Sequence, residues 1–216
     1  MTIDLYHMPP SGPCRAVRMV AKIIGVDLNL KNVDLMAGEQ NKPEFLNMNP
    51  EHCVPTIDDD GFVLWESRAI MLYLVNKYAP GSSLYPKDVQ QRAIVDRLLY
   101  FDMGTLFKSQ REVFYPQVFK GEAPNPESEK NYQTALGYLE GYLSKSAYVA
   151  GDKLTLADIS IIASLSMMEV LDYDISTYPN ISAWKAKVKE EVPDYKSIND
   201  EPLQGFKAWV KSKQAQ

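Results

Sequence analysis

The sequence predicts an α/β plus all-α architecture, and three observations predict it. Short strand-like runs alternate with helical ones early in the chain, only helical patterns occur later, and Ala79-Pro80-Gly81-Ser82-Ser83 clusters Pro, Gly and paired Ser where the periodicity changes. One domain is therefore expected over residues 1–79, a linker over 80–87 and an all-helical domain over 88–216.

Each element has a local signal. Ile3 to His7 reads as a short strand, and Pro13 to Ile24 as a helix with Pro at its start, Val17, Val20, Ala21 and Ile24 on one face and Gly25 as its stop. Leu28 to Val33 alternates like a second strand. Thr56-Ile57 and Phe62 to Trp65 form a hairpin across Asp58-Asp59-Asp60-Gly61, because an Asp-Gly pair tolerates the positive φ such turns need. A helix from Ser67 to Tyr78 completes a β-α-β-α-β-β-α unit. Helical periodicity then covers about Val89 to Val118, Glu127 to Leu143, Leu156 to Leu171, Tyr178 to Glu191 and Leu203 to Lys213. Thr155 and Asp158 make a capping box, with Leu154 and Ile159 as its hydrophobic staple. The helix they start is apolar on nearly every side, which predicts a central, buried position.

Composition narrows the function. With 45% hydrophobic and 24% charged among 216 residues, the chain is globular rather than disordered. Its longest mostly apolar stretch, Ile159 to Met168, is interrupted by three serines and is about half a membrane span, so no membrane association is expected. A net charge of −5 has the wrong sign for nucleic acid. Two cysteines exclude a disulfide framework, and no Cys/His cluster offers a metal site. The opening Met1-Thr2-Ile3-Asp4 lacks the basic and apolar regions of a secretory leader, so a reducing cytoplasm is expected.

Three segments can carry chemistry. The first strand runs into Met8-Pro9-Pro10-Ser11-Gly12-Pro13-Cys14, which brings a hydroxyl and a thiol to a helix start, where unpaired N–H groups and the helix dipole favour an anion. Ser11 replaces the first thiol of a Cys-x-x-Cys spacing, so dithiol redox chemistry is not expected; Ser11 either donates to a ligand's sulfur or simply caps the helix. Cys14 reads as a small packing residue. In Asn49 to Thr56, Val54-Pro55 immediately precedes a strand; the segment is either an ordinary turn or a cis X-Pro edge where an extended peptide pairs with Val54. Glu66-Ser67-Arg68 sets a carboxylate, a hydroxyl and a guanidinium at another helix start, a set that suits an amino-acid head group but also serves routine capping. Farther on, Met103, Phe107, Gln110 and Phe114 fall at helical spacings of four, three and four, with Leu106, Tyr115 and Phe119 adjoining. That stripe suits either a core or the wall of an apolar pocket.

Across its whole length the chain resembles the cytosolic glutathione S-transferases, the insect Delta class above all and the Epsilon class next. The resemblance rests on Tyr6 to Val17, Met36-Ala37-Gly38-Glu39, Lys42 to Leu46, Asn49 to Thr56, Leu64 to Leu74, Leu84 to Lys87, Tyr100 to Leu106, Tyr115 to Phe119 and Val149 to Ile159. It implies a thioredoxin-like N-terminal domain, a helical C-terminal domain carrying the hydrophobic substrate site, a homodimer, and glutathione as co-substrate for attack on hydrophobic electrophiles. By the same resemblance Ser11 corresponds to the catalytic serine. His52, Val54, Pro55, Glu66, Ser67 and Arg68 correspond to glutathione contacts, as does Gln40, where relatives often carry His. The amide of Gln40 can hydrogen-bond a carboxylate but adds no charge.

Asp102, within a stretch that could form part of a dimer interface, would reach the partner's glutathione amine; a solvated surface carboxylate is the alternative. The resemblance adds Gly12, Pro13, Leu35 and Phe206 to the pocket wall with Met103, Leu106, Phe107, Gln110, Phe114, Tyr115 and Phe119. A low-turnover carrier of apolar compounds is the rival function. Isomerase and thiol-transferase work are disfavoured, since Gly12 interrupts the Ser-Ser-Cys of Zeta isomerases and Ser11 replaces the Omega-type cysteine.

Overall fold

A computed structural model describes residues 2–214; Met1 and the final Ala215 and Gln216 of the expected helical domain lie outside it. Strand β1 (Ile3–His7) pairs in parallel with β2 (Leu28–Asn32) and antiparallel with β3 (Thr56–Asp59). Strand β4 (Phe62–Trp65) pairs antiparallel with β3, giving the order β2-β1-β3-β4. β1 buries Ile3, Leu5 and His7 in alternation, as a central strand should. β2 departs from expectation: it lies at the sheet edge with Asn29 to Asn32 all exposed, and Val33 lies beyond the strand, its N–H bonded to the His7 carbonyl at 2.8 Å. The hairpin turn narrows to Asp60-Gly61, whose φ values of 56° and 87° are the paired positive angles of a tight two-residue turn.

Helices α1 (Gly12–Ile23) and α3 (Ser67–Tyr78) pack together, and the short α2 (Pro43–Met48) leads into the loop before β3. α1 buries Val17, Val20 and Ala21, and Gly25 ends it in the left-handed conformation at φ 72°. Among the described residues, the long elements after α3 are all helices: α4 (Val89–Phe101), α5 (Phe107–Lys120), α6 (Pro126–Leu143), α7 (Leu156–Leu165), α8 (Pro179–Glu191) and α9 (Glu201–Gln214). The pattern expected as one helix over Val89 to Val118 is divided by a π turn, Asp102–Leu106, which inserts a residue into the helical ladder and rotates α5 relative to α4. The pattern expected to run to Leu171 leaves α-geometry at Ser166 and continues as a 3₁₀ turn, Ser166–Glu169. None of the described helices is long and apolar enough to cross a membrane.

α7 is buried at all ten positions and packs against α1 and α4. Its start is secured by Asp158, whose carboxylate accepts from the Thr155 N–H and hydroxyl, the Val149 N–H and the Trp184 indole N–H, each at 2.9 Å. One core cluster runs from the sheet helices through α7 into α8, while Val118, Val170, Leu203 and Val210 form a separate small cluster under α9. Replacing Asp158 with Ala strands three buried N–H donors at about 1 to 3 kcal/mol each. Urea unfolding of Asp158→Ala is expected to show a loss of about 3 kcal/mol or more, and an unchanged midpoint would show that those donors find other partners.

Candidate active site

Three backbone features converge at one end of the sheet. After β1 the chain turns through Met8 to Ser11, with the Ser11 N–H bonded to the Met8 carbonyl at 3.0 Å, and enters α1 with Pro13 in its first turn. The Ser11 carbonyl accepts from the Arg15 N–H at 3.0 Å, yet its side chain makes no capping bond. Ser11 borders the cleft, its hydroxyl within hydrogen-bonding reach of the Cys14 thiol. Complete burial pushes that thiol up to about 11, despite bonds from Ser11 and Met8, so Cys14 packs as a neutral residue. His7 is no base for the site: burial, with the Arg18 charge, pulls it down to about 4.

The loop before β3 is organised by Asn49, which is fully buried. Its amide donates to the Cys53 carbonyl at 3.1 Å and the Thr56 hydroxyl at 2.9 Å, and its side-chain oxygen accepts from the Glu51 N–H. This holds His52 at φ 43° and presents Val54 ahead of a cis Val54-Pro55 bond. Among the described residues, neither backbone polar group of Val54 has a partner within the chain. At the end of β4, Glu66 adopts φ 72°, a costly angle for a non-glycine residue, which turns the chain sharply into the buried Ser67 at the start of α3.

Two connected hollows lie against these features, of about 550 and 760 Å³. Ser11, Gly12, Pro13, Leu35, Gln40, His52, Val54 and Phe206 border the smaller, and Pro55, Glu66, Ser67, Arg68 and Met103 the larger. Phe107, Tyr115 and Phe119 border both and join them into one cleft. Gln110 meets the smaller hollow from below, buried, its amide donating to the Ser164 carbonyl and its oxygen unpaired. Gln40 likewise keeps a buried, unpaired side-chain oxygen.

Residues 1–76 match the family described as glutathione S-transferase, N-terminal domain, and residues 99–191 its C-terminal domain. The chain belongs to the glutathione S-transferase family. It is 51% identical to a delta-class glutathione transferase of Nilaparvata lugens, over 97% of this chain and 99% of that one, with a TM-score of 0.94. A Bombyx mori glutathione transferase is 42% identical over 96% and 97% of the two chains, TM-score 0.93. An epsilon-class enzyme of the housefly, Musca domestica, is 37% identical over 98% of each, TM-score 0.90. The protein is thus an enzyme of the glutathione transferase type with glutathione as co-substrate, more similar to the delta-class structure than to the epsilon-class one.

Two residues expected in the pocket wall lie elsewhere. Leu106 and Phe114 are core residues, 0% and 1% exposed, and Phe114 packs edge-on against Tyr132 and Tyr173. The reason is geometric. Residues four apart form ridges along a helix, and α5 presents two. Phe107, Arg111, Tyr115 and Phe119 face the cleft, while Leu106, Gln110, Phe114 and Val118 face inward. Asp102 does not meet solvent, against the alternative of a surface carboxylate. It is fully buried, accepting from Arg68 and from the Ser160 hydroxyl.

Sequence reasoning also misses residues. Arg111 stands 4.7 Å above the Tyr115 ring on a ridge read as apolar, and Trp209 stacks on Phe206 at 5.5 Å. Asn49 is legible only as part of a motif.

Gly12 has a particular reason to be glycine: a Cβ there would stand 3.0 Å from the Ala163 carbonyl oxygen of α7. Gly12→Ala is expected to cost about 1 to 3 kcal/mol through overpacking, read as a fall of several degrees in the melting midpoint. A variant melting with wild type would show that α1 and α7 separate freely.

Proposed function

We propose that this transferase is of the serine type, with Ser11 stabilising the glutathione thiolate for attack on hydrophobic electrophiles in a cytosolic homodimer. The observation that carries the reading is the Ser11 hydroxyl, unused for capping at the start of α1, on a residue that borders the smaller hollow. The rest of the cleft suits a tripeptide. The unpartnered N–H and C=O of Val54 match the backbone of a cysteinyl residue, as a strand edge would. Ser67 and the α3 N-terminus suit the γ-glutamyl carboxylate and Glu66 its ammonium, beside Arg68, which donates to the Ser67 hydroxyl at 3.1 Å and is anchored by Asp102. His52 and Gln40, which border the smaller hollow, suit the glycyl carboxylate.

The energy required is modest. A thiol titrates near ~8.5, and a fall of ~2 units corresponds to about 2.7 kcal/mol. A charge-assisted bond from Ser11 supplies roughly 1.5 to 3 kcal/mol, and the helix terminus about 0.3 to 1. No general base is needed. Tyr115, Phe119, Phe206 and Trp209 form the aromatic wall against which an apolar electrophile would lie.

The dimer reading has its own support. Val89 and Tyr100, 79% and 70% exposed, fall within about 20° of each other around α4 at 100° per residue, and Phe62 of β4 is also half exposed. The two free cysteines, Cys14 and Cys53, suit a reducing compartment.

Ser11→Ala is expected to lower turnover of an activated aryl chloride by ~10², the low end for one lost donor to developing charge. Unchanged turnover would remove Ser11 from this role, and ligand binding without any product in the wild type would favour a carrier. Sedimentation at micromolar concentration is expected to give twice the 24.4 kDa chain mass; a species at the chain mass would defeat the dimer.

A further inference from the structure

Arg15 is a cation where helix electrostatics disfavours one. It lies in the first turn of α1, at the positive end of the helix, and its side chain is fully buried. A buried charge ordinarily requires an ionic partner, yet every acceptor around this guanidinium is neutral. Nη1 donates to the Ser166 hydroxyl at 2.7 Å and to Asn199 Oδ1, Nη2 to the Ala163 carbonyl at 3.5 Å, and Nε has no partner.

Among the described residues, no titratable group is bonded to it as an ionic partner. Cys14 adjoins it on α1 and Tyr195 faces it beside the π turn Lys196–Asp200, both neutral with their pKa values raised by burial. The charges of Glu169 and Asp200 act on it without a direct bond: Glu169 is engaged by Lys185 and Lys189, and Asp200 by Lys189 and by the Asn199 amide, which donates to it at 3.3 Å. Burial pulls the guanidinium down to about 10, which leaves it charged at neutral pH.

The nearest opening toward which this charge projects is the smaller hollow. Nη2 lies 3.6 Å from the position a Cβ would take on Gly12, directly behind the wall that carries Ser11. α1 therefore combines a helix N-terminus, an uncompensated arginine and no acidic residue in its first turn. We propose that Arg15 is a positioning residue whose unpaired charge, held by neutral acceptors, favours the ionised sulfur of glutathione at Ser11. It touches neither substrate, and its role rests on the assignment of Ser11 as the thiolate donor. Asn199 belongs to the device, because an amide oxygen orients the guanidinium without neutralising it, as a carboxylate would.

The test is an ultraviolet thiolate titration of glutathione bound to the full-length protein. Asn199→Asp is nearly isosteric and gives Arg15 a counter-charge without a cavity, so the midpoint is expected to rise by about one pH unit, a tenfold change in ionisation. Arg15→Lys, which keeps the charge, should stay near wild type, whereas Arg15→Gln should rise with Asn199→Asp. A purely structural role would move the melting midpoint and leave the titration alone.

If Asn199→Asp does not fold, the Arg15→Lys and Arg15→Gln pair decides in the same way. A wild-type midpoint in Asn199→Asp, or in Arg15→Gln, alongside a raised one in Ser11→Ala overturns the role of Arg15 and leaves that of Ser11 standing. An unmoved midpoint in Ser11→Ala, or a wild-type thiol that titrates as in buffer, overturns both.

Discussion

The first turn of α1 rests against the Ala163 carbonyl of α7 at a separation that admits no side chain at Gly12, and the rest of the cleft is arranged around that contact. α7 is the fixed member of the pair. It is buried at every position, and Asp158 ties its start to Val149, Thr155 and Trp184. Because α1 bears on so rigid a support, the orientation of Ser11 is set by the packing of the helical part as much as by the sheet. This is how a residue at the end of β1 comes to face aromatic side chains more than a hundred positions later in the chain.

The cleft divides its labour by polarity. Among the described residues, groups left without partners inside the chain, the Val54 backbone and the amide oxygen of Gln40, lie with Ser11 along the side built by the sheet and its loops. The helices contribute the rings of Tyr115, Phe119, Phe206 and Trp209. The cleft thus has a polar side and an aromatic one. Beneath them, Arg68, Asp102 and Ser160 form a buried polar layer linking the α3 start to α7 and the π turn. That layer lets a charged residue such as Arg68 stand at the cleft edge in one orientation.

Much of this is legible in the sequence because its signals are local. Gly25, the Asp60-Gly61 turn, the Thr155 and Asp158 capping pair and the apolar helix from Leu156 each declare themselves within a few residues, and each sits where it is expected. The family motifs place most of the cleft residues as well. The features that escape are set by register and by distant partners. The π turn at Asp102 has no sequence signature, and without it neighbouring four-residue ridges on α5 cannot be told apart, so Leu106 and Phe114 group with Phe107. Asp102 looks like a surface carboxylate because Arg68 and Ser160, its partners, are 34 and 58 positions away. Nothing local marks Arg15, whose partners Ser166 and Asn199 are 151 and 184 positions away.

The separate cluster under α9 has an implication for how such a protein diversifies. Phe206 and Trp209 are fastened through Leu203, Val210, Val118 and Val170, together with the Lys207 contacts to Asp172 and the Glu169 carbonyl, and only lightly through the main core. Substitutions there are absorbed by a small neighbourhood of side chains, while the sheet and α7 keep their packing. This stretch of the cleft wall can therefore change its chemistry over generations, while the fold that carries the rest of the cleft is left undisturbed.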